Sequence, residues 1–366
     1  MEPVTIIGLV SGIFAICVGV WQVRKWLRER REKERDREDL RETIRQEFEK
    51  YQRDISQMVL YTDGLTEMPD RRRLSLLQQG LVAQREYRIP EAINFFRECL
   101  GQGVPKSQRI ALLLLIGSGF FIIGQLQIAL GNYIEAEALA RESNDNQGLS
   151  AALGNIGLIY QTRGEIDKAL ENYQQALDIH REMGYRLGEA NNLGSMGVAY
   201  RIKGEMGKAL EHIQKALNIN REICNRSGEA GDLGNIANVY LMEGDLDKAL
   251  EHHQQALNIA REISDRQVEA NELGNVGSVY LIKGETDKAL EQHQQALSID
   301  REIGHRQGEA SDLGNIGSIY LTKGETDTAL DYYQQALKIF EEVGAEAEAA
   351  MAREVILKLK KGNKVG

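Results

Sequence analysis

The sequence repeats itself every 40 residues over more than half of its length. From Ser150 to Ala349 there are five units of 40 residues, and the same residue types return at the same places in each unit. A glycine stands at the fifteenth place of every unit, and alanines stand at the twentieth and twenty-seventh places. A fixed period of this length is typical of a solenoid, in which each unit buries its apolar face against its neighbours.

Each unit is predicted to be two helices joined by a turn. Leucine at the fourth place, tyrosine at the eleventh and an alanine-leucine pair at the twenty-seventh form an apolar stripe at helical spacing. The glycine at the fifteenth place ends the first helix. The chain has four prolines and none after Pro105, which suits continuous helices. The fold class is therefore predicted to be all-α, a superhelical solenoid of helical hairpins.

These residues carry a family resemblance. A small residue at the eighth place, an aromatic residue at the eleventh, glycine at the fifteenth and alanine at the twentieth and twenty-seventh resemble the tetratricopeptide repeat (TPR). The standard TPR unit has about 34 residues and a proline near its end, whereas this one has 40 and no proline. The string Leu-Gly-Asn-Ile-Gly is similar to the long units of Pins-type polarity adaptors and, less closely, of kinesin light chains. The acidic tail motifs of the polarity adaptors are not evident.

Two degenerate units are predicted at 73–149, before the five regular units at 150–349, and a capping helix at 345–361. In the second degenerate unit, Gly124, Gly131 and Ala136 fit the eighth, fifteenth and twentieth places of a unit that starts near Gly117. The stretch 110–130 has no charged residue. We interpret it as an unusually apolar buried helix; an apolar ligand groove and a membrane-associated segment are the alternatives.

The start of the chain is predicted to be a single-pass transmembrane anchor at 1–23. Residues 4–23 are uncharged and long enough for a helix that spans a bilayer. Arg24 and Lys25 follow the apolar run, so the positive-inside rule places the repeats in the cytoplasm. A signal peptide and a buried soluble helix are the alternatives. Gly8 and Gly12 form a GxxxG pattern through which two copies of the helix can pair.

A charged helical stalk is predicted at 24–60 and a linker at 61–72. The apolar residues of the stalk recur at gaps of 4, 3, 4 and 3. They are Ile44, Phe48, Tyr51, Ile55 and Met58. This spacing is typical of a coiled-coil seam, so a homodimer through the anchor and stalk is one interpretation. A helix packed on the first repeat is the other.

The TPR resemblance implies a function. In TPR arrays the first helix of each unit lines a concave face. The fifth place here is glycine in all five units, which is expected to leave room for the backbone of a ligand, and the sixth place is asparagine in four of the five. An asparagine can both donate to a peptide group and accept from it. We predict a membrane-anchored scaffold or adaptor that binds an extended peptide of a partner protein; the rival interpretation of the asparagines is that they bond only neighbouring helices. The candidate peptide-binding residues are Asn155, Asn191, Ser195, Arg201, Asn235, Asn238, Asn271, Asn275 and Asn315.

Other function classes find little support in the sequence. The net charge of −10 argues against a nucleic-acid partner. The three cysteines share no spacing, and most of the six histidines fall on different units, so no metal site or cofactor is expected. No phosphate loop or nucleophile motif occurs, and the chain is not expected to be an enzyme. A self-assembling structural protein and a regulatory sensor subunit are the alternatives to the scaffold.

Overall fold

The computed structural model describes residues 76–362, apart from 78, 82, 85–87 and 102. The predicted anchor, stalk and linker lie outside these residues. The helices from residue 89 onward are α1 (Ile89–Cys99), α2 (Lys106–Ile122), α3 (Leu126–Ser143), α4 (Asn146–Thr162), α5 (Ile166–Glu182), α6 (Arg186–Lys203), α7 (Met206–Glu222), α8 (Arg226–Glu243), α9 (Leu246–Glu262), α10 (Arg266–Ile282), α11 (Thr286–Ile303), α12 (Arg306–Thr322), α13 (Thr326–Glu342) and α14 (Glu346–Gly362).

The chain divides after Gly228 into two compact units. The N-terminal unit holds α1 to α7, and the C-terminal unit holds most of α8 and all of α9 to α14. Within each unit, consecutive helices pack as hairpins: α4 against α5, α6 against α7, α10 against α11 and α12 against α13. The even-numbered helices α2 to α12 are the first helices of their hairpins. The prediction of an all-α solenoid of helical hairpins is confirmed for the described residues.

Glycines shape the turns inside the hairpins as the sequence predicts. Gly204 and Gly284 have left-handed backbones, with φ of 85° and 77°. At the second of these turns the N–H of Glu285 donates to the carbonyl oxygen of Tyr280 at 2.9 Å. This bond closes the end of α10 in the way typical of helices that stop at a left-handed glycine.

In the five regular units the turns between hairpins use the thirty-fifth place, where two residues with side chains adopt the left-handed backbone. Cys224 and Ser264 have φ of 56° and 57°, whereas the equivalent Gly184 and Gly304 have 67° and 72°. A side chain in this conformation costs about 1 kcal/mol relative to glycine.

We expect Ser264→Gly to raise the free energy of unfolding of the C-terminal unit by about 0.5–1 kcal/mol. The reverse change at the equivalent turn, Gly304→Ser, should lower it by a similar amount. Urea unfolding followed by circular dichroism measures both. Two variants that shift the midpoint in the same direction would show that the backbone conformation does not control the stability of these turns.

The first and second helices of a hairpin meet where the eighth place faces the twenty-fourth. A Cβ built on Gly157 would lie 2.6 Å from the ring of Tyr173, so only glycine allows this approach. Gly117 faces Tyr133 in the same way. Gly117 therefore occupies the eighth place of its unit, and the predicted register, which began a unit near Gly117, was wrong by seven residues.

The apolar stretch 110–130 is not one helix. It is divided between α2 and α3 by a turn in which Gly124 has a φ of 75°. Residues 110–121 are buried throughout, from Ile110 at 0% to Phe121 at 3% exposed. The structure therefore supports the interpretation as a buried core helix for α2. Among the described helices, none is both long and apolar enough to cross a bilayer.

A buried histidine joins α5 to α6 in the N-terminal unit. His180 is 1% exposed, and its Nδ1 lies 2.8 Å from the Nδ2 of Asn192. An amide nitrogen only donates, so the imidazole accepts this bond in its neutral form. Burial lowers the pKa of His180 from 6.5 to about 4.

The lowered pKa of His180 predicts that the N-terminal unit loses stability in acid. The unfolded chain takes up the proton near pH 6.5 and the folded chain only near pH 4, so the stabilisation is complete above pH 6.5 and fades as the pH falls towards 4. Between pH 7 and pH 5 the loss should be about 2 kcal/mol. Urea unfolding of the wild type and of His180→Phe at both pH values measures it, because the variant has no group to protonate. An equal pH dependence in both proteins would contradict the prediction.

The last helix, α14, covers the C-terminal end of the array. α14 packs against α13, where Ala349 is 1% exposed and Ile356 contacts the apolar cluster around Tyr333. The opposite side of α14 faces solvent, with Met351 60% and Leu357 58% exposed. α14 (Glu346–Gly362) lies in the part of the chain where the sequence places a capping helix, 345–361.

Candidate functional site

The candidate site is the inner face of the C-terminal unit. We define the inner face as the second, sixth, ninth, twelfth and thirteenth places of the first helices α8, α10 and α12. These places lie within an arc of about 120° on a helix with 3.6 residues per turn. α10 contacts α12 directly, and the backbone of Gly234 on α8 approaches the carboxylate of Glu272 on α10. The three first helices therefore stand side by side and present one continuous face.

Three asparagines form a row along this face, which we call the amide row. Asn235, Asn275 and Asn315 occupy the sixth place of α8, α10 and α12, and all three are half-buried. In the described part of the chain, none of their side-chain amides forms a hydrogen bond with another residue. The interpretation that these asparagines only bond neighbouring helices therefore finds no support.

Other asparagines in the same array show the contrast. Asn225 donates to Asn220 at 2.8 Å, and Asn192 contacts both His180 and the carbonyl oxygen of Gly188. These amides are buried and join structural elements. The amide row differs because its donors and acceptors are half-exposed and have no partner among the described residues, which leaves them available to a ligand.

The remaining predicted residues of the C-terminal unit lie beside the amide row. Asn238 and Asn271 are half-buried on the same face. At the ninth place, Ser278 and Ser318 donate to the carbonyl oxygens of Gly274 and Gly314 on their own helices. The serine hydroxyls are thus occupied as donors, and the asparagines are the free amides of this face.

The predicted residues of the N-terminal unit are less accessible. Asn155 is 1% exposed, and neither atom of its amide has a hydrogen-bond partner. Leu158, one turn further along α4, is 4% exposed. Asn191, Ser195 and Arg201 on α6 are half-buried. The equivalent face is therefore closed at α4 and more open at α6, so the C-terminal unit offers the longest accessible stretch.

The glycines at the fifth place are predicted to leave room for the backbone of a ligand. At Gly234 that room is taken, because a Cβ built there would lie 2.9 Å from Oε1 of Glu272 on the next hairpin. At Gly274 a Cβ would be in ordinary contact, 3.5 Å from Oδ1 of Asp312, and at Gly314 it would meet no atom within 4 Å. Gly234 therefore serves packing between hairpins, whereas Gly314 leaves open space.

Glu272 and Asp312 each form a buried pair with a histidine. The repeat pattern did not predict these pairs. Nδ1 of His253 lies 2.7 Å from Oε2 of Glu272, and Nδ1 of His293 lies 3.0 Å from Oδ1 of Asp312. All four side chains are less than 10% exposed. Burial is the main cause that raises the pKa of Asp312 to about 6. The signal in the sequence was the acid that follows each of these histidines by 19 residues.

The edges of the inner face carry ion pairs. At one edge Lys283 pairs with Asp247 at 2.5 Å and Lys323 pairs with Asp287 at 2.8 Å. At the other edge Glu269 accepts from both Arg261 and Arg266, and Glu309 accepts from Arg301 and Arg306. Each of these charges already has a partner of opposite sign. Among the described residues no cluster of histidine, cysteine and acid side chains is arranged to hold a metal ion.

The fold and the inner face define a helical-repeat protein with an open row of amides. A sequence model of the tetratricopeptide repeat matches residues 108–182, 187–265 and 267–342, which is more than half of the chain. The chain therefore belongs to the tetratricopeptide repeat family. No curated protein sequence matches it significantly.

Several solved structures share the fold. The structure of a Rap protein complexed with Competence and Sporulation Factor has a TM-score of 0.59 at 15% identity, covering 95% of this chain and 98% of that one. The Rap conjugation gene regulator of plasmid pLS20, in complex with the Phr* peptide, has a TM-score of 0.58 at 15% identity and the same coverage. BtubC from P. vanneervenii has a TM-score of 0.53 at 20% identity, covering 60% of this chain and 92% of that one.

Proposed function

We propose that this protein is an interaction scaffold that holds an extended peptide segment of a partner protein on the inner face of its C-terminal unit. The observation that carries the proposal is the amide row, in which Asn235, Asn275 and Asn315 are half-buried and bond to no other described residue. Because these amides bond to no other described residue, a ligand can bind them without breaking a hydrogen bond of the fold. Each amide offers a donor and an acceptor.

The spacing of the amide row suits an extended chain. Packed helices have axes about 8–10 Å apart, and an extended peptide rises about 3.3 Å per residue. One asparagine on each of α8, α10 and α12 therefore meets the peptide backbone about every third residue. Because such bonds go to the main chain, they hold a peptide without selecting its sequence.

Two of the structures that share the fold support this use of the architecture. One Rap protein is complexed with Competence and Sporulation Factor and another with the Phr* peptide. At 15% identity the likeness concerns the fold, so the peptide role of this chain rests on its own amide row.

The sequence adds two further parts of the proposal. The uncharged residues 4–23, followed by Arg24 and Lys25, would tether the scaffold to a membrane with its repeats in the cytoplasm. The scaffold would act by binding, without an enzymatic activity of its own. Both parts rest on sequence patterns.

The test is a selection of peptides from a phage-displayed library of linear 12-residue peptides on the full chain. Peptides selected by the wild type should fail to bind the triple variant Asn235→Ala, Asn275→Ala, Asn315→Ala. The matched control is Gln254→Ala, Gln294→Ala, Gln334→Ala, which removes three exposed amides of the second helices at the same 40-residue spacing. Equal binding of the selected peptides to all three proteins would refute the proposal.

A further inference from the structure

We infer that the peptide held on the inner face is uncharged where it lies in the face and carries aliphatic side chains along one of its edges. This inference rests on the proposed function and names the class of peptide. It follows from three observations on the C-terminal unit: the absence of charge on the face, an exposed aliphatic strip and the ion pairs at its borders.

The inner face itself contains no charged residue. Its five places on α8, α10 and α12 comprise 15 positions, and none of them is Asp, Glu, Lys, Arg or His. This is unusual for a chain in which 27% of the residues are charged. A charged side chain of a ligand would lose water on this face and would find no opposite charge, which is costly.

An aliphatic strip runs beside the amide row at the twelfth and thirteenth places. Met242 is 54% exposed, Ile282 is 60% exposed and Leu321 is 38% exposed. Leu241 and Leu281 are half-buried between them. Each of the three helices thus contributes at least one exposed aliphatic side chain about two turns beyond its asparagine on the same face. Covering such a strip with aliphatic side chains gains about 25 cal/mol per Å² of apolar surface removed from water.

The ion pairs at the borders reduce their attraction for a charged peptide. Lys283 and Lys323 contact Asp247 and Asp287, and the buried Glu309 accepts from two arginines. A peptide charge would have to compete with a partner held within the same array. Electrostatic complementarity therefore favours a neutral occupant over an acidic or basic one.

The experiment uses the peptides that the phage-displayed library yields against the full chain. We expect the peptide segment whose binding depends on the asparagines to lack charged residues. It should carry Leu, Ile, Val or Met about every third residue. Placing a single Asp or Lys at one of those aliphatic positions of a fluorescein-labelled peptide should weaken binding at least tenfold. Ile282→Asp should weaken the unmodified peptide to a similar degree.

The matched control is Ile303→Asp, which places the same charge on an exposed isoleucine at the end of the second helix α11, away from the inner face. It should bind the peptide like the wild type. If the amide variant loses binding but the selected segments are charged, the inferred class is wrong and the proposed function stands. If no peptide binds in an asparagine-dependent way, the proposed function fails first.

Sedimentation of the same variants tests whether the aliphatic strip instead binds a second copy of this chain. A wild-type dimer that Ile282→Asp dissociates and Ile303→Asp does not would overturn the inference, because the strip would then be a self-association surface. A wild type and two variants with equal sedimentation support a peptide as the occupant.

Discussion

Replacing Gly197 with leucine is expected to unfold the N-terminal unit or to lower its free energy of unfolding by at least about 3 kcal/mol. Gly197 holds the eighth place of α6, where the two helices of a hairpin come closest. A Cβ there would lie 2.3 Å from Cγ1 of Ile213 and 3.1 Å from the carbonyl oxygen of Ala209. Ile213 is fully buried and the second contact is backbone, so neither atom has room to move.

The control for this prediction is the same change at Gly207, the second residue of α7. A Cβ at Gly207 would meet no atom within 4 Å. Because leucine has a higher helix propensity than glycine, Gly207→Leu should leave stability unchanged or raise it slightly. Thermal unfolding of both variants by circular dichroism measures the difference. Equal unfolding temperatures for the two would contradict the account of how the hairpins pack.

Removing the amide row is expected to weaken peptide binding at least 100-fold. Each asparagine can form two hydrogen bonds with a peptide group, and each bond contributes about 0.5–1.5 kcal/mol net. Six bonds give about 3–9 kcal/mol, and 100-fold corresponds to about 2.7 kcal/mol. The triple variant Asn235→Ala, Asn275→Ala, Asn315→Ala should keep the unfolding temperature of the wild type, because these amides bond to no other described residue.

Fluorescence anisotropy of a labelled library-selected peptide measures this loss. The second-helix variant Gln254→Ala, Gln294→Ala, Gln334→Ala should bind like the wild type. A triple amide variant that is folded and retains the wild-type affinity would show that the asparagines do not hold the peptide. A fall in its unfolding temperature would instead reveal a structural role for the amides.

The repeat pattern predicted most of the architecture because its signals are local. The glycine at the fifteenth place marks a left-handed turn wherever it occurs, as at Gly204 and Gly284. The small residue at the eighth place marks the closest approach of two helices, as at Gly157 against Tyr173. Both follow from the backbone and from one neighbour within the same hairpin, so the sequence of a single unit is sufficient.

The repeat register of the two degenerate units is harder to predict because glycine has more than one role in them. Spacing alone places Gly124 at the eighth place of a unit that starts near Gly117, and this repeat register is displaced by seven residues. In the structure Gly117 allows the contact with Tyr133, and Gly124 makes the turn. The tyrosine that distinguishes the two uses lies 16 residues after Gly117, and its significance appears only when the two helices are packed.

The repeat pattern does not predict the contacts between hairpins. The pairs His253–Glu272 and His293–Asp312 join a second helix to the first helix of the next hairpin. They depend on how the hairpins stack, which no single unit specifies. For the same reason the pattern does not show that the space at Gly234 is taken by the carboxylate of Glu272, which lies 2.9 Å from a Cβ built there.

A backbone scan of the bound peptide distinguishes side-chain amides that hold the main chain of a peptide from a face that binds only its side chains. Each residue of a library-selected peptide is N-methylated in turn, which removes one backbone donor and keeps the side chain. If the amides hold the main chain, binding to the wild type should weaken about tenfold at positions about three residues apart, and the triple amide variant should show no such pattern. Uniform tolerance of N-methylation across the peptide would contradict main-chain binding by the amides.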